Sequence, residues 1–347
     1  MKIGLTGGGS GGHFYPLIAV AEALNEIAQE EHLLALRLYY FADAPYDSRA
    51  LFDNHIEFRK VSAGKVRRYF SLQNVTDAFK TAWGIMQALF QLFTIFPDVV
   101  FSKGGFVSFP VVLAARLLGI PVVIHESDSK PGRVNAWAGK FAARIAISYA
   151  EAAKYFPEEK VALTGNPVRK GIKLVAETGA TEFLNLDKNV PTIFILGGSQ
   201  GAGHINEAVL DALPELVESY NVIHQTGRAN LEEVKIISST VLKGHDKAYR
   251  YKPFDYLNDI ALRMAAGAAS VIVSRAGSGG IFEIAAWGKP SIIIPIPESI
   301  SHDQRHNAFA YARSGAAEVV EEKNLTSHLL TAEIAKIIGN PALQQKM

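Results

Sequence analysis

The sequence contains no cysteine, which excludes disulfide scaffolds, thiolate nucleophiles, cysteine-based zinc sites and iron–sulfur clusters together. It also has almost no net charge. Lys+Arg 35 against Asp+Glu 34 leave +1 over 347 residues, so no general excess draws it to nucleic acid, and any basic patch is local. No apolar run reaches the roughly 20 residues that span a bilayer; the uncharged stretch 81–97 holds 17 residues and is interrupted by Gln87 and Gln91. The opening MKIGLTGGGSGG lacks the apolar centre of a secretory signal, so the expectation is a cytoplasmic protein. What remains is ordinary globular composition, 48% hydrophobic and 20% charged, which argues against collagen, coiled coil and wholesale disorder. At about 150 residues per domain the length favours two domains.

Periodicity supports that division. Residues 2–6, 36–41, 98–101, 121–125 and 142–148 read as strands, with helices over 16–30 and 110–118. Continuous Val/Ile runs without in-out alternation indicate strands covered on both faces, as in a parallel sheet. Near Gly165-Asn-Pro-Val-Arg169 the rhythm breaks, and about twenty residues poor in strand signal follow. The expected domains are therefore 1–164 and 165–347. The second series runs strand 192–196, helix 203–218, strand 221–224, helix 231–238, strand 249–251, helix 256–266, strand 270–274, helix 280–287 and strand 290–294. The fold class expected is α/β, with two doubly wound halves.

Glycine-rich loops sit where strands give way to helices. Gly7 to Gly12 with His13 forms the first, and glycines there let backbone approach a phosphate at a helix N-terminus. Gly7, Gly9 and Gly12 also satisfy G-x-G-x-x-G, so a dinucleotide site competes. A dinucleotide site wants an acid about 20 residues on, whereas Asp43 comes about 30 residues after the loop. Lys103-Gly104-Gly105-Phe106 is a second such turn. Gly197-Gly198-Ser199-Gln200-Gly201 opens the second half, and Ser274 to Gly280 forms another loop, followed by Glu283. That carboxylate either complements the helix as a capping box or accepts both hydroxyls of a ribose. Residues 295–307, with Glu298, His302, Asp303, Gln304 and Asn307, offer amide and imidazole groups suited to sugar hydroxyls. His302 and Asp303 are adjacent, which is not metal-ligand spacing. Lys65, Arg67 and Arg68 precede a helical stretch in which Phe79, Trp83, Met86, Leu89, Phe90, Phe93 and Phe96 are apolar, with Lys80, Gln87, Gln91 and Thr94 as a polar line. This is either a core helix or an interfacial one flanked by basic residues.

These motifs, in this order, resemble the MurG glycosyltransferases: GGGSGGHFYPLIAVAEAL, KGGFVSFP, IPVVIHES, GNPVR, GGSQGAGHIN, SRAGSGGIFEIAAWGKP and DQRHNA. The resemblance covers nearly the whole chain. It implies a GT-B fold, two Rossmann-like domains facing across a cleft, with acceptor bound by the first and donor nucleotide by the second. The implied reaction moves N-acetylglucosamine (GlcNAc) from UDP-GlcNAc to the C4 hydroxyl of N-acetylmuramic acid (MurNAc) in undecaprenyl-pyrophosphoryl-MurNAc-pentapeptide. It proceeds with inversion and without a cofactor or active-site metal, at the cytoplasmic face of an anionic membrane. Residue by residue, the resemblance implies Ser10, Gly11 and Gly12 at the reacting donor sugar and Gly104, Gly105 and Asn135 at the acceptor. Arg169 and Ser199 are implied near the pyrophosphate, Gln200 in the donor site, Phe254 at uracil, and Ser278, Gly279, Gly280 and Glu283 along the nucleotide, with Gln304 on the GlcNAc hydroxyls.

Three features depart from the family pattern. HEQN appears as His125-Glu126-Ser127-Asp128, so an asparagine is replaced by an aspartate. The third loop lacks the usual threonine. The sequence ends at Met347, where proteins of this fold usually send a last helix back to the first domain. The candidate general base is His13, because imidazole titrates near working pH, with Asp128 and Glu126 in reserve. Competing readings are a GT-B enzyme using another lipid acceptor, an epimerase using UDP-GlcNAc, a non-catalytic nucleotide-sugar-binding partner, and an NAD(P) oxidoreductase.

Overall fold

A computed structural model describes residues 1–33, 35–65, 73–197, 201–299 and 303–347. Those residues form two compact units, Met1–Arg169 and Lys170–Met347. The first unit runs β1 (Lys2–Thr6), α1 (Gly11–Glu30), β2 (Arg37–Ala42), α2 (Ser48–Asp53), β3 (Ile56–Lys60), α3 (Gln73–Ile95), β4 (Val99–Ser102), α4 (Phe109–Leu117), β5 (Val122–Glu126), α5 (Arg133–Ala138), β6 (Arg144–Ile147) and β7 (Val161–Leu163). Its sheet has the order β3-β2-β1-β4-β5-β6-β7, and every pairing is parallel. One face carries Phe14, Leu17, Ile18 and Ala21 of α1. The other carries Ala88 and Leu92 of α3 with Val111 and Val112 of α4. Covering on both faces is why β4 and β5 read as unbroken Val/Ile runs.

The second unit runs α6 (Lys170–Lys173), α7 (Ala180–Phe183), β8 (Thr192–Leu196), α8 (Gly203–Ser219), β9 (Asn221–Gln225), α9 (Leu231–Val241), β10 (Tyr251–Phe254), α10 (Asp259–Ala268), β11 (Ala269–Arg275), α11 (Ser278–Trp287), β12 (Ser291–Ile294), α12 (Gln304–Ala312), β13 (Ala317–Val319), α13 (Ser327–Ile338) and α14 (Pro341–Lys346). Its parallel sheet has the order β10-β9-β8-β11-β12-β13. Helix α8 buries Ile205, Val209, Leu213 and Leu216 against this sheet. Their helical spacing puts them on one face, and each such burial contributes about 1.5–3 kcal/mol.

Strand order decides where ligands can sit. In each sheet the direction of winding reverses at one place, between β1 and β4 in the first and between β8 and β11 in the second. Loops leaving the carboxyl ends of strands on either side of such a reversal part from each other and open a crevice. Those strands are the ones followed by the glycine loops at Gly7, Gly104, Gly197 and Gly277.

Helix α1 starts at Gly11, five residues before the Pro16 that the sequence pattern suggests. Ser10 accepts from the backbone N–H groups of His13 and Phe14, so the two glycines form the opening turn. Pro16 lies inside the helix and cannot donate to the carbonyl of Gly12.

Helix α3 buries Ala88 and Leu92 and packs Leu89 against the core, but turns its aromatic side outward. Phe79 is 74% exposed, Trp83 61%, Met86 61%, Phe90 71% and Phe93 68%. The glutamines point inward: the Gln87 Oε1 accepts from Ser62 N at 2.9 Å, and the Gln91 amide donates to Lys60 O at 2.8 Å. Gly84 lets the helix come this close, because a Cβ there would fall 1.7 Å from the Ser62 carbonyl oxygen. The core-helix alternative for this face is thereby excluded. Lys65 is described; Arg67 and Arg68 lie outside the described residues.

Candidate active site

In the first unit the loop after β1 is shaped by its neighbours. Gly9 has φ +85°, and a Cβ there would lie 2.9 Å from the Phe106 ring, so only glycine fits. The Tyr40 hydroxyl donates to the Gly7 carbonyl at 2.6 Å and fixes the loop to β2. Ser10, which caps α1, spends its hydroxyl on the His13 Nδ1 at 2.9 Å instead of on the helix backbone. The other ring nitrogen of His13 faces the second glycine turn: a Cβ on Gly105 would sit 3.5 Å from Nε2. His13 is half-buried. Loss of water, followed by the charge of Lys103, lowers its pKa from 6.5 to about 4. It is therefore a neutral imidazole at neutral pH.

Beneath Gly104 lies a cluster that the motif reading did not anticipate. Lys103 is only 1% exposed. Its ammonium donates to His125 Nδ1 at 2.6 Å, to Asn166 Oδ1 at 2.9 Å and to the Ser127 hydroxyl. Burial brings its pKa down to about 7 against the opposing charges of Glu126 and Asp128. His125 gives its Nε2 proton to Gly165 O at 2.9 Å and accepts from Lys103 on the other nitrogen, so both ring nitrogens are committed. Its pKa falls to about 3, chiefly through burial.

Glu126, 4% exposed, accepts from Asp128 N at 2.9 Å, Gly132 N at 3.1 Å and Asn135 Nδ2 at 2.9 Å. Burial and then the charge of Asp128 push its pKa up to about 7. Asn135 also donates to His125 O at 3.0 Å. It is buried, and its side chain blocks any Cβ at Gly104, where φ is +76°. Asn135 and Glu126 thus act on one another within the wall of the first unit, while Asp128 stands half-buried at its surface. Arg169 stacks on the Tyr15 ring, 4.2 Å from its centroid, beside the start of α1.

In the second unit Gly201 has φ +79°, and a Cβ would collide with the Thr226 carbonyl at 2.5 Å. Ser199 and Gln200 lie outside the described residues, as does His302. Helix α11 begins at Ser278, two residues earlier than the sequence pattern suggests, which places Glu283 in the second turn. A capping box needs its acid at the third helical position, so that reading of Glu283 is wrong. Around Gly277 and Gly279 nothing lies within 4 Å of an added Cβ; the space is open. Phe254 ends β10 with its carbonyl taken by Thr226, from the backbone N at 2.9 Å and the hydroxyl at 3.1 Å. The side-chain Oε1 of Gln304, first residue of α12, accepts from Ile296 N at 3.2 Å. Glu298, Asp303 and Asn307 sit on the same segment; Asn307 is fully buried.

A second buried network has no local signature in the sequence. Asn206 of α8 donates to Thr226 O at 3.1 Å and pairs through Oδ1 with His224 Nε2 at 3.0 Å. His224 Nδ1 pairs in turn with the Tyr251 hydroxyl at 2.9 Å. Burial lowers the His224 pKa to about 3. The chain locks the first turns of α8 to β9 and β10. Among the described residues no group of three or more His, Asp or Glu side chains is arranged to hold a metal ion.

Comparison with known proteins bears on this arrangement. Residues 3–147 match the glycosyltransferase family 28 N-terminal domain, and residues 192–347 match the glycosyltransferase family 28 C-terminal domain. The chain is 39% identical over 329 residues to the UDP-N-acetylglucosamine–N-acetylmuramyl-(pentapeptide) pyrophosphoryl-undecaprenol N-acetylglucosamine transferase of Treponema denticola, covering 91% of this chain and 82% of the relative. It is 37% identical to the protein of the same description from Lachnospira eligens, covering 98% and 91%. Among solved structures it is similar to MurG of Acinetobacter baumannii, with TM-score 0.74, 26% identity and coverage of 100% and 93%. It also shares its fold with the UDP-GlcNAc 2-epimerase of Neisseria meningitidis, at TM-score 0.68, 16% identity and coverage of 100% and 93%. The chain belongs to glycosyltransferase family 28 and carries its GT-B fold.

Proposed function

We propose that this glycosyltransferase moves GlcNAc from UDP-GlcNAc to the C4 hydroxyl of MurNAc in undecaprenyl-pyrophosphoryl-MurNAc-pentapeptide, a step of peptidoglycan synthesis. The observation that carries the reading is the pair of reversal points, each flanked by glycine loops and helix N-termini, with a neutral histidine at one of them. The names of the relatives supply the substrates.

In this reading the first unit takes the acceptor at Gly104 and Gly105, and the second takes the donor. His13 donates its Nδ1 proton to the Ser10 hydroxyl, which leaves the Nε2 lone pair facing the Gly105 turn. Nε2 removes the proton from the acceptor hydroxyl as that oxygen attacks the anomeric carbon. The bond from that carbon to UDP breaks on the opposite face, so the α-linked donor gives a β-linked product. Charge gathering on UDP is met by the N-terminus of α8, by Arg169 and by the Ser199 and Gln200 loop. Gly277 and Gly279 leave room for the nucleotide. Ser278, Gly279 and Gly280 line it, Glu283 accepts the ribose hydroxyls, Phe254 borders uracil and Gln304 borders GlcNAc. Asp128 is the reserve base; Glu126 is occupied as an acceptor of three hydrogen bonds. No cofactor or metal enters the scheme.

The exposed aromatic face of α3 docks the chain on anionic lipid, where the acceptor resides, so that it works as a peripheral protein of the inner membrane face. Among the described residues no helix is long and apolar enough to cross a membrane. The test is UDP release from UDP-GlcNAc with and without a short-chain lipid acceptor, in EDTA. Acceptor-dependent release supports the reading. Release without acceptor points to an epimerase or hydrolase, and loss of turnover in EDTA removes the metal-free mechanism.

A further inference from the structure

We propose that Glu322 is a positioning residue for the donor, a carboxylate that joins the roots of the loops around the nucleotide sugar. The inference rests on the donor reading above and concerns a residue outside every glycine motif. Glu322 lies just beyond β13, and its side chain is 7% exposed. One carboxylate oxygen meets His204 Nδ1 at 2.8 Å, and the other meets the Arg275 guanidinium. His204 is the second residue of α8, whose N-terminus follows the loop at Gly197 to Ala202. Arg275 is the last residue of β11, immediately before the open glycines at 277 and 279. Through its other nitrogen Arg275 reaches the carbonyl of Ile294, the last residue of β12, at 3.4 Å. One carboxylate is therefore connected to the start of α8 and to the ends of β11 and β12.

The preceding residue extends the tie. Glu321 accepts from Arg305 Nε at 2.7 Å, and Arg305 also reaches Glu298 at 3.4 Å. Arg305 follows Gln304 on α12, and Glu298 lies in the segment after β12. Two successive acids thus hold the bases of the segments after β8, β11 and β12 that would face the donor. An ion pair serving stability alone has no reason to end on loop roots on both sides of the reversal point. Holding them matters because loops ordered in advance spare the donor the cost of ordering them on binding. Arg275 is mostly buried, so leaving its charge without the carboxylate is unfavourable, and the loops relax to recover a partner.

The experiment titrates UDP calorimetrically into the full chain and into its Glu322→Gln and His204→Ala variants, with donor and acceptor KM, kcat and melting temperature measured for each. Glu322→Gln keeps the shape and loses the charge; it is expected to raise the UDP Kd and the donor KM about tenfold, and His204→Ala about threefold. In both variants kcat at saturating donor and acceptor KM are expected to stay within about twofold of the unaltered chain. A lower melting temperature with unchanged UDP affinity overturns the inference, because that is what a purely structural ion pair would give. If Glu322→Gln does not fold, His204→Ala decides, since that side chain is 65% exposed; a Kd within about 1.5-fold of the unaltered chain overturns the proposal. Failure of the unaltered chain to bind UDP overturns the donor reading and this inference with it.

Discussion

The two crevice edges are built from different chemistry. At the first, Lys103, His125, Glu126 and His13 crowd together, and burial brings the lysine and the glutamate both to about 7. At the second, the wall behind the glycine loops is a neutral chain of Asn206, His224 and Tyr251, with ion pairs kept to the loop roots at Glu322 and Glu321. An edge that sets a neutral imidazole beside a lysine and a glutamate both brought near neutrality suits proton movement. An edge of open glycines and helix N-termini suits holding an anion whose charge stays fixed. The same doubly wound architecture has been equipped in two ways, and the difference is the one that the proposed division of labour between base and leaving group requires.

The sharpest way to break this contrast is His13→Ala. The expected loss in kcat is about 10²–10⁴-fold with UDP affinity retained. A loss below tenfold moves the role to Asp128, and weakened UDP binding would mean that the two edges are not separate in function. The next effect is on the neutral edge. Asn206→Ala leaves the buried His224 Nε2 without its partner, while the Thr226 carbonyl keeps the Asn230 amide, and a destabilisation of about 1–3 kcal/mol is expected, read by denaturant unfolding. An unchanged midpoint would show that the network is not what holds α8.

The third prediction concerns pH. His125 and His224 both have folded values near 3, below the ordinary 6.5, so the folded state binds fewer protons than the unfolded one between those values. Their contribution is complete above about pH 6.5 and is lost as pH falls toward 3, by up to about 1.4 kcal/mol per pH unit for each. Glu126 runs the other way. Its raised value contributes stability that is complete below about 4.5 and is lost as pH climbs through 7. Replacing it by Gln should therefore flatten the neutral side of the stability profile in the first unit while leaving the acid side intact; a profile unchanged on both sides would remove Glu126 from the account.

The central strands are legible in the sequence and the edge strands are not. Residues 192–196 were placed as found, because a strand covered on both faces is a continuous apolar run. β3, β7 and β13 carry no strand pattern of their own, and the pattern over 249–251 begins before the observed β10; all four are edge strands. β3 carries Glu57, Arg59 and Lys60 among its five residues, and β10 contains Pro253, which a sheet tolerates at an edge. Their identity comes from the neighbour they pair with, not from their own pattern. The site divides similarly. Glycine loops announce themselves locally. Lys103 looks like a solvated flank of a turn until Ser127 and Asn166, 24 and 63 residues away, close over it. Asn206, His224 and Tyr251 have no local signature, since each partner comes from a different element. The boundary placed before Gly165 is also a matter of distant contacts: His125 holds Gly165 and Tyr15 holds Arg169 within the first unit.

The smallest expected effect lies outside both edges. Replacing Trp83 and Phe90 by Ser should abolish flotation with anionic vesicles while changing turnover of a water-soluble acceptor by less than about twofold. Retained flotation would detach α3 from lipid binding.

That helix has a colloidal consequence as well. Its aromatic side chains cannot retreat. The Gln87 and Gln91 hydrogen bonds and the close approach at Gly84 fix the helix about its own axis, so no rotation hides the patch when lipid is absent. With a net charge of only +1, there is little mutual repulsion to keep copies apart. The free chain is expected to be a protein whose solubility falls as sulfate is added and rises with mild detergent, its concentration in water limited by one helix face.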